Sequence, residues 1–351
     1  MAYTTIDDGS EYFQAITYTG NSNTSHAVTN TGNSNLQPDW IWVKIRTGQN
    51  DDHILVDSSR GNLKRLKSNQ NYSEPSDAAE IKSFDSNGFT LGTTDGTSNY
   101  NGFTYVAWQW KANGGTTSSN TDGSITTTVQ ANTTAGFSIV TYTGNATNGA
   151  TIGHGLGAVP QVIIKKNRAD NGTEWNVYHH SIGNTKSLFL NTTEAETTES
   201  AYNNTSPTSS IQTINGSGAN NGDGDGMIAY FFTPIKGYSK FGTYEANDNT
   251  DGPFIYTGFK PAWVILKCVD STGNWFLFDN KRDNSNMVTQ TIYGDLNAAE
   301  NTESNGLDFL SNGIKLRQSG SGGINHSGTY IYMAFAEHPF VSSKGVPTTA
   351  R

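Results

Sequence analysis

The sequence predicts an all-β protein made of three tandem antiparallel β-sandwich domains, jelly-roll or lectin-like in character. Composition is the first reason. Of 351 residues, 38 are Gly and 38 are Asn, while only 15% are charged, against about a quarter in ordinary globular domains, and the good helix formers are scarce. Aromatics reach 11%, too many for a disordered polar chain, so the Asn, Gly, Ser and Thr belong to the turns and surface of something folded. The second reason is an internal repeat, and the third is the strand-length apolar runs inside it.

Each repeat opens on a tyrosine strand: Tyr18-Thr19-Gly20-Asn21, the identical Tyr142-Thr143-Gly144-Asn145, and the looser Tyr244-Glu245-Ala246-Asn247. A proline-led apolar run ending in lysine follows: Pro38-Asp39-Trp40-Ile41-Trp42-Val43-Lys44, then Pro160-Gln161-Val162-Ile163-Ile164-Lys165, then Pro261-Ala262-Trp263-Val264-Ile265-Leu266-Lys267. Both pleat faces of Trp40–Val43 are apolar, so the strand lies between two packed layers, or has one face covered by a neighbouring domain or subunit. Next come His53-Ile54-Leu55-Val56, Trp175-Asn176-Val177-Tyr178 and Trp275-Phe276-Leu277-Phe278 in matching places. Asn87-Gly88 and Asn312-Gly313 sit between apolar alternations and read as type I′ hairpin turns. Each copy closes on a two-sided strand around Tyr105-Val106-Ala107-Trp108, Met227-Ile228-Ala229-Tyr230 or Tyr332-Met333-Ala334-Phe335. Pro38 to Ala107, Pro160 to Ala229 and Pro261 to Ala334 span 69, 69 and 73 residues.

Helix is expected only as short turns at 76–80 and 297–300. The domains are expected at residues 1–115, 116–236 and 237–351, the second beginning with a slack Gly/Ser/Thr linker at 113–120 and meeting the third tightly at 234–237. Burying a large aromatic contributes about 1.5 to 3 kcal/mol; with seven Trp, 16 Tyr and 16 Phe, three small cores are sustainable without disulfides, which the single Cys268 cannot supply internally.

A formal charge of −9 argues against a nucleic-acid partner, whose phosphates need clustered Lys and Arg. No run approaches the ~18 apolar residues of a membrane span. The start, Met1 to Asp8, lacks the basic and apolar stretches of a secretory signal, so synthesis in a cytosol is expected. Catalytic constellations do not emerge, and no enzyme is expected. His179 and His180 are adjacent on a strand and point to opposite faces, a poor pair for one metal; His154 lies in a Gly-rich turn. Asp223 and Asp225, in Asn220-Asn221-Gly222-Asp223-Gly224-Asp225-Gly226, are a weak Ca²⁺ candidate without the closing Glu of a calcium loop, the alternative being a solvated loop. No other cofactor is expected. Asp57-Ser58-Ser59-Arg60 is mirrored by Asp279-Asn280-Lys281-Arg282 and reads as a structural turn with its carboxylate capping backbone N–H groups. Most aromatics are read as core. Trp110, Tyr100 and Tyr72, beside polar loops, are the candidates for an exposed platform on which sugar rings stack.

The phrases Tyr105-Val-Ala-Trp-Gln-Trp-Lys-Ala-Asn-Gly-Gly115, Ala135-Gly-Phe-Ser-Ile-Val-Thr-Tyr-Thr-Gly-Asn145, Gly237-Tyr-Ser-Lys-Phe-Gly-Thr-Tyr244, Tyr330-Ile-Tyr-Met-Ala-Phe-Ala-Glu-His-Pro-Phe340 and Gly345-Val-Pro-Thr-Thr-Ala-Arg351 make the chain resemble virion structural and tail-fibre-like proteins of marine tailed bacteriophages. The resemblance implies a particle component assembled in the host cytoplasm, partnered by other virion proteins and, as an adhesin, by a host glycan or outer-membrane receptor. By analogy it also implies a homo-oligomer, a trimer. The alternative within it is a capsid decoration or head-fibre protein; a polysaccharide depolymerase is a third, weaker reading.

Overall fold

The structure is a computed structural model that describes residues 3–75, 79–320 and 322–348, with the side chains of residues 304 and 305 excepted. It is all-β, and every pairing between its strands is antiparallel. One strand order occurs three times. It runs Phe13–Thr19, Thr104–Trp110, Trp40–Thr47, Ile54–Asp57, Arg65–Leu66; then Phe137–Thr143, Gly226–Phe232, Val162–Asn167, Asn176–His179, Lys186–Phe189; then Ser239–Ala246, Gly328–Pro339, Phe259–Cys268, Phe276–Asp279, Val288–Tyr293. The second sheet gains Thr127–Asn132 and Ser118–Asn120 at one edge and Thr197–Thr198 at the other; the third continues through Asn301–Leu310, Gly313–Leu316 and Phe254–Tyr256. Smaller sheets accompany the first (His26–Thr29, Gly88–Leu91, Ile81–Asp85) and the second (Ala150–Gly153 with Ile211–Ile214).

The two-sided strands explain where the core sits. Ile41, Val43 and Ile45 pack with Val28, Phe89 and Leu91 between the two sheets of the first segment, and Ile163 belongs to a similar cluster in the second. The other pleat face of each strand turns inward to one shared core, which draws Trp40, Trp42 and Trp110 from the first segment, Phe137, Val162 and Phe232 from the second, and Phe241, Trp263 and Phe335 from the third. Ring contacts join all three. Trp40 stacks on Tyr230 at 4.4 Å, Trp110 meets Trp263 edge-on at 5.4 Å, and Phe232 meets Phe335 at 6.0 Å. The expectation of three small separate cores is therefore corrected: the segments pack their tryptophan faces on one another. The same packing removes the sequence argument for a partner copy, because the second apolar face is covered within the chain.

Polar contacts close the three segments into a ring. The pairings Trp40 with Asp57, Val162 with His179 and Trp263 with Asp279 place His53, Trp175 and Trp275 at matched positions. Each reaches a backbone carbonyl of another segment: His53 Nε2 lies 2.9 Å from Tyr293 O, Trp175 Nε1 donates to Lys67 O at 2.8 Å, and Trp275 Nε1 donates to Phe189 O at 2.9 Å. Trp42 Nε1 donates to His53 Nδ1 at 2.7 Å, which fixes His53 as the tautomer with its proton on Nε2, the donor toward Tyr293. The first segment thus binds the third, the second the first, and the third the second.

Three local expectations change, and a fourth falls mostly outside the described residues. The 113–120 linker is not slack, because the N–H groups of Ala112, Gly114 and Gly115 donate to the Asp39 carboxylate at 2.7 to 2.9 Å and Ser118–Asn120 is a strand. Residues 297–300 are irregular; Lys44 Nζ and Arg46 O of the first segment hold Asn297 O and Glu300 N, so those groups are not free to make a helical turn. Of the other proposed turn, Ser76, Asp77 and Ala78 lie outside the described residues, and Ala79-Glu80 is not helical. The two Asn-Gly hairpins form one residue out of the expected register: Asp85 pairs with Gly88 and Leu310 with Gly313, so Ser86-Asn87 and Ser311-Asn312 are the loops. Gly88 is needed for another reason, since its φ is +118° and a Cβ there would lie 2.1 Å from Val28 O.

Candidate functional site

The residues that carry chemistry are mostly consumed by the seams between segments. The Asp57–Arg60 and Asp279–Arg282 turns are structural: Asp57 Oδ1 accepts from Arg60 N at 2.8 Å and Asp279 Oδ1 from Arg282 N at 2.9 Å, while the other oxygens meet the guanidinium nitrogens at 2.5 and 2.6 Å. Each carboxylate also takes a hydrogen bond from the next segment. Tyr230 OH donates to Asp57 at 2.7 Å, and Trp108 Nε1 donates to Asp279 at 2.9 Å. At the third seam the matched residue is His179, whose Nε2 lies 3.4 Å from Tyr332 O. Glu74 joins Arg60 to Arg168, and Glu300 joins Arg282 to Arg46, again bridging segments.

Two sets of buried groups escaped the sequence reading. Lys44, Lys166 and Lys267 occupy one register position, opposite Val106, Ile228 and Ile331; the second match is Lys166, not Lys165 as the sequence suggested. All three are fully buried and solvated by carbonyls: Asp51 O and Asn297 O, Asn167 O, and Thr193 O and Gly273 O. Their spacing of six from Pro38, Pro160 and Pro261 was the available signal, but a lysine ending a strand reads as a solvated edge. Asn99, Asn221 and Asn325 form the second set. Each is buried and accepts the N–H of the asparagine that ends a tyrosine segment, at 3.1, 2.9 and 3.0 Å.

Burial pushes Lys44, Lys166 and Lys267 each down to about 8. Unfolded, these amines titrate near their ordinary value of about 10.4, so between about pH 8 and pH 10 the unfolded chain holds more protons and stability rises with pH. Burial also holds Tyr18, Tyr142 and Tyr244 above the ordinary phenol value. Above about pH 10 the unfolded chain loses phenolic protons that the folded one keeps, and stability falls. The urea midpoint is expected to climb from pH 7 to about 9.5 and then descend; a midpoint that declines between about pH 8 and pH 9 contradicts the buried lysines.

The residues singled out from sequence are dispersed. Trp110 is 1% exposed, between Phe13 at 4.9 Å and Trp40 at 4.6 Å, and presents no face to a ligand; its alternating strand carries it inward rather than toward the polar loop that follows. Tyr72 and Tyr100 are exposed, at 58% and 49%, Tyr100 resting on Phe103 at 4.8 Å. Asp225 accepts from Asn167 Nδ2 at 2.7 Å, and among the described residues Asp223 and Asp225 belong to no group of three or more His, Cys, Asp or Glu that could hold a metal ion. His154 is buried in its turn, with Nδ1 accepting from Leu156 N and Nε2 beside Thr208 O. His180 Nε2 lies 3.3 Å from Phe241 O. Among the described residues no helix is long and apolar enough to cross a membrane.

Two spaces lie where the segments meet. At the shared core a cavity of about 20 Å³ is enclosed by Trp40, Trp110, Trp263 and Met333 among others, room for about one water. The larger space is a polar cleft at the seam of the third and first segments, two adjoining hollows of about 100 and 310 Å³ that share Asn280, Lys281 and Glu337. The matched residues at the other seams are Ser58 and His180, each anchored alike: Ser58 N, His180 N and Asn280 N donate to Asp39 O, Gln161 O and Ala262 O. Ser58 Oγ is bonded to Asp39 and Gln130, and His180 to Phe241 O. Asn280 Oδ1 is buried and has no hydrogen-bond partner among the described residues. The carboxylates nearby are engaged, Glu337 by Lys260 and Asp283 by the N–H groups of Thr289 and Gln290. The cleft therefore offers amides, an ammonium and paired acids at a partly apolar wall containing Phe13, Val288 and Phe309, groups suited to hydroxyls on a compact ring. Its walls come from the two ends of the chain, which no local motif could reveal.

No curated protein and no solved structure matches the chain. A family model, described as a domain of unknown function (DUF7483), matches residues 8–339, a span that includes the repeated strands of all three segments, and the chain therefore belongs to the DUF7483 family.

Proposed function

We propose that this protein is a non-enzymatic surface component of a bacteriophage particle, a tail-fibre or appendage adhesin that contacts a host-surface glycan or outer-membrane receptor through three tandem sandwich-like modules sharing one core. The carrying observation is the polar cleft at the third seam, where the buried Asn280 Oδ1 has no partner among the described residues although its counterparts at the other seams are satisfied. A buried acceptor left unpaired costs about 1 to 3 kcal/mol, and a sugar hydroxyl donating to it would remove that cost. The resemblance of the repeated aromatic phrases to marine phage virion proteins supports the particle setting, and trimeric assembly rests on that resemblance alone.

The test combines location and competition. Gold-labelled antibody is expected at the tail of intact particles, and purified protein is expected to bind host cells and slow phage adsorption. Label over the head, or protein that neither binds cells nor competes, overturns the adhesin reading; head label favours capsid decoration.

A further inference from the structure

A second surface, lined by residues other than those of the Asn280 cleft, carries charge that no described carboxylate pairs. The protein is acidic overall, and most of its described cations are buried or paired. Lys236 and Lys240 have no carboxylate partner among the described residues. Both line one cleft of about 350 Å³ together with Tyr3, Tyr256 and Gly258. Lys236 Nζ lies 4.5 Å from the centre of the Tyr3 ring and Lys240 Nζ 5.1 Å from that of Tyr256.

The cleft has a built frame. Tyr3 OH donates to Gly258 O at 2.7 Å and lies 3.4 Å from Tyr256 OH, while Lys240 Nζ donates to Tyr256 O at 2.6 Å. Gly258 and Gly237 have φ of +84° and +81°; a Cβ would lie 2.7 Å from Tyr3 Oη at the first and 2.8 Å from Thr4 Cβ at the second, so only glycine lets the N-terminal segment close this wall. Along Phe254–Tyr256 the first and third side chains are exposed and Ile255 is buried, which sets two aromatic rings on the outer face of the strand.

We propose that this cleft binds a sugar unit bearing a carboxylate or sulfate group, its ring against the tyrosine faces and its anion on Lys236 and Lys240. This rests on the reading of the protein as a glycan-contacting adhesin and adds the chemical class. Ammonium groups over aromatic rings attract anions while the rings offer apolar area to sugar C–H faces. Two cations in a single cleft are too few for a nucleic-acid backbone, and an open cleft of about 350 Å³ suits one or two rings better than an extended acidic peptide.

The full-length protein would be titrated calorimetrically at low salt with oligogalacturonate, a heparin-derived oligosaccharide and the neutral maltoheptaose, with a polyglutamate peptide as a fourth probe. At least one of the first two is expected to bind, weakened by salt, and the double variant Lys236→Gln/Lys240→Gln is expected to bind it about tenfold or more weakly, the equivalent of ~1.4 kcal/mol, with an unchanged melting temperature. Tyr256→Ala should weaken binding while leaving the charge intact. Uronate binding with sulfate failing, or the reverse, names the anion. No binding of either anionic sugar, equal binding of maltoheptaose or polyglutamate, or indifference to both variants overturns the proposal. Host-cell binding that survives the double variant while the wild type ignores both anionic sugars sinks this site alone; sugar binding by a protein that does not bind host cells sinks the adhesin reading instead.

Discussion

Asp279→Ala is expected to cost about 3 to 5 kcal/mol of stability, the range for breaking a buried ion pair by removing one partner. Asp279 is fully buried and accepts from Arg282 Nε at 2.6 Å, from the Arg282 and Lys281 N–H groups at 2.9 Å, and from Trp108 Nε1 of the first segment at 2.9 Å. Burial works to raise its pKa, but the Arg282 guanidinium and these hydrogen bonds prevail and hold it below the ordinary carboxylate value. Alanine would leave Arg282, whose side chain has no exposed surface, with Glu300 at 3.2 Å as its one ion-pair partner among the described residues, and would strand the Trp108 N–H in the seam. Asp279→Asn keeps an acceptor and is expected to cost less. The urea midpoint at constant m reads both; a loss below about 1 kcal/mol for the alanine variant contradicts the seam geometry.

Trp110→Ala should cost a similar amount, about 3 to 5 kcal/mol, and leave glycan binding unchanged in whatever protein remains folded. Its ring touches Phe13, Trp40, Trp263 and Phe335 at 4.6 to 5.7 Å, so truncation opens a cavity where the first and third segments meet. A stability change near zero, with loss of sugar binding, would restore the exposed-platform reading of this residue.

The contrast at Trp110 marks how far the sequence could be read. The repeat was visible because each copy needs the same proline-led strand, and the Asp57 and Asp279 turns were visible because a carboxylate three residues before an arginine is a local device. The partner of a two-sided strand was not: Trp40 and Trp42 on one face, Ile41 and Val43 on the other, satisfy a second layer and a neighbouring segment equally well, and the structure uses both. Buried Lys44 and Lys267 were hidden because carbonyls of other segments, Asn297 O and Thr193 O, help to solvate them. The cleft at Asn280 and the lysine–tyrosine cleft each join residues from the two ends of the chain or from separate turns, so neither left a motif. Of the aromatics proposed for sugar contact, Tyr72 and Tyr100 lie on the surface, whereas Tyr256 was passed over because a three-residue strand gives no periodicity.

The claim beneath all of this is that three sheets bury their tryptophan faces in one common core. Scanning calorimetry of the full-length protein tests it most directly. A single unfolding transition with equal calorimetric and van't Hoff enthalpies is expected; three resolved transitions, each with the enthalpy of about a third of the chain, would contradict it.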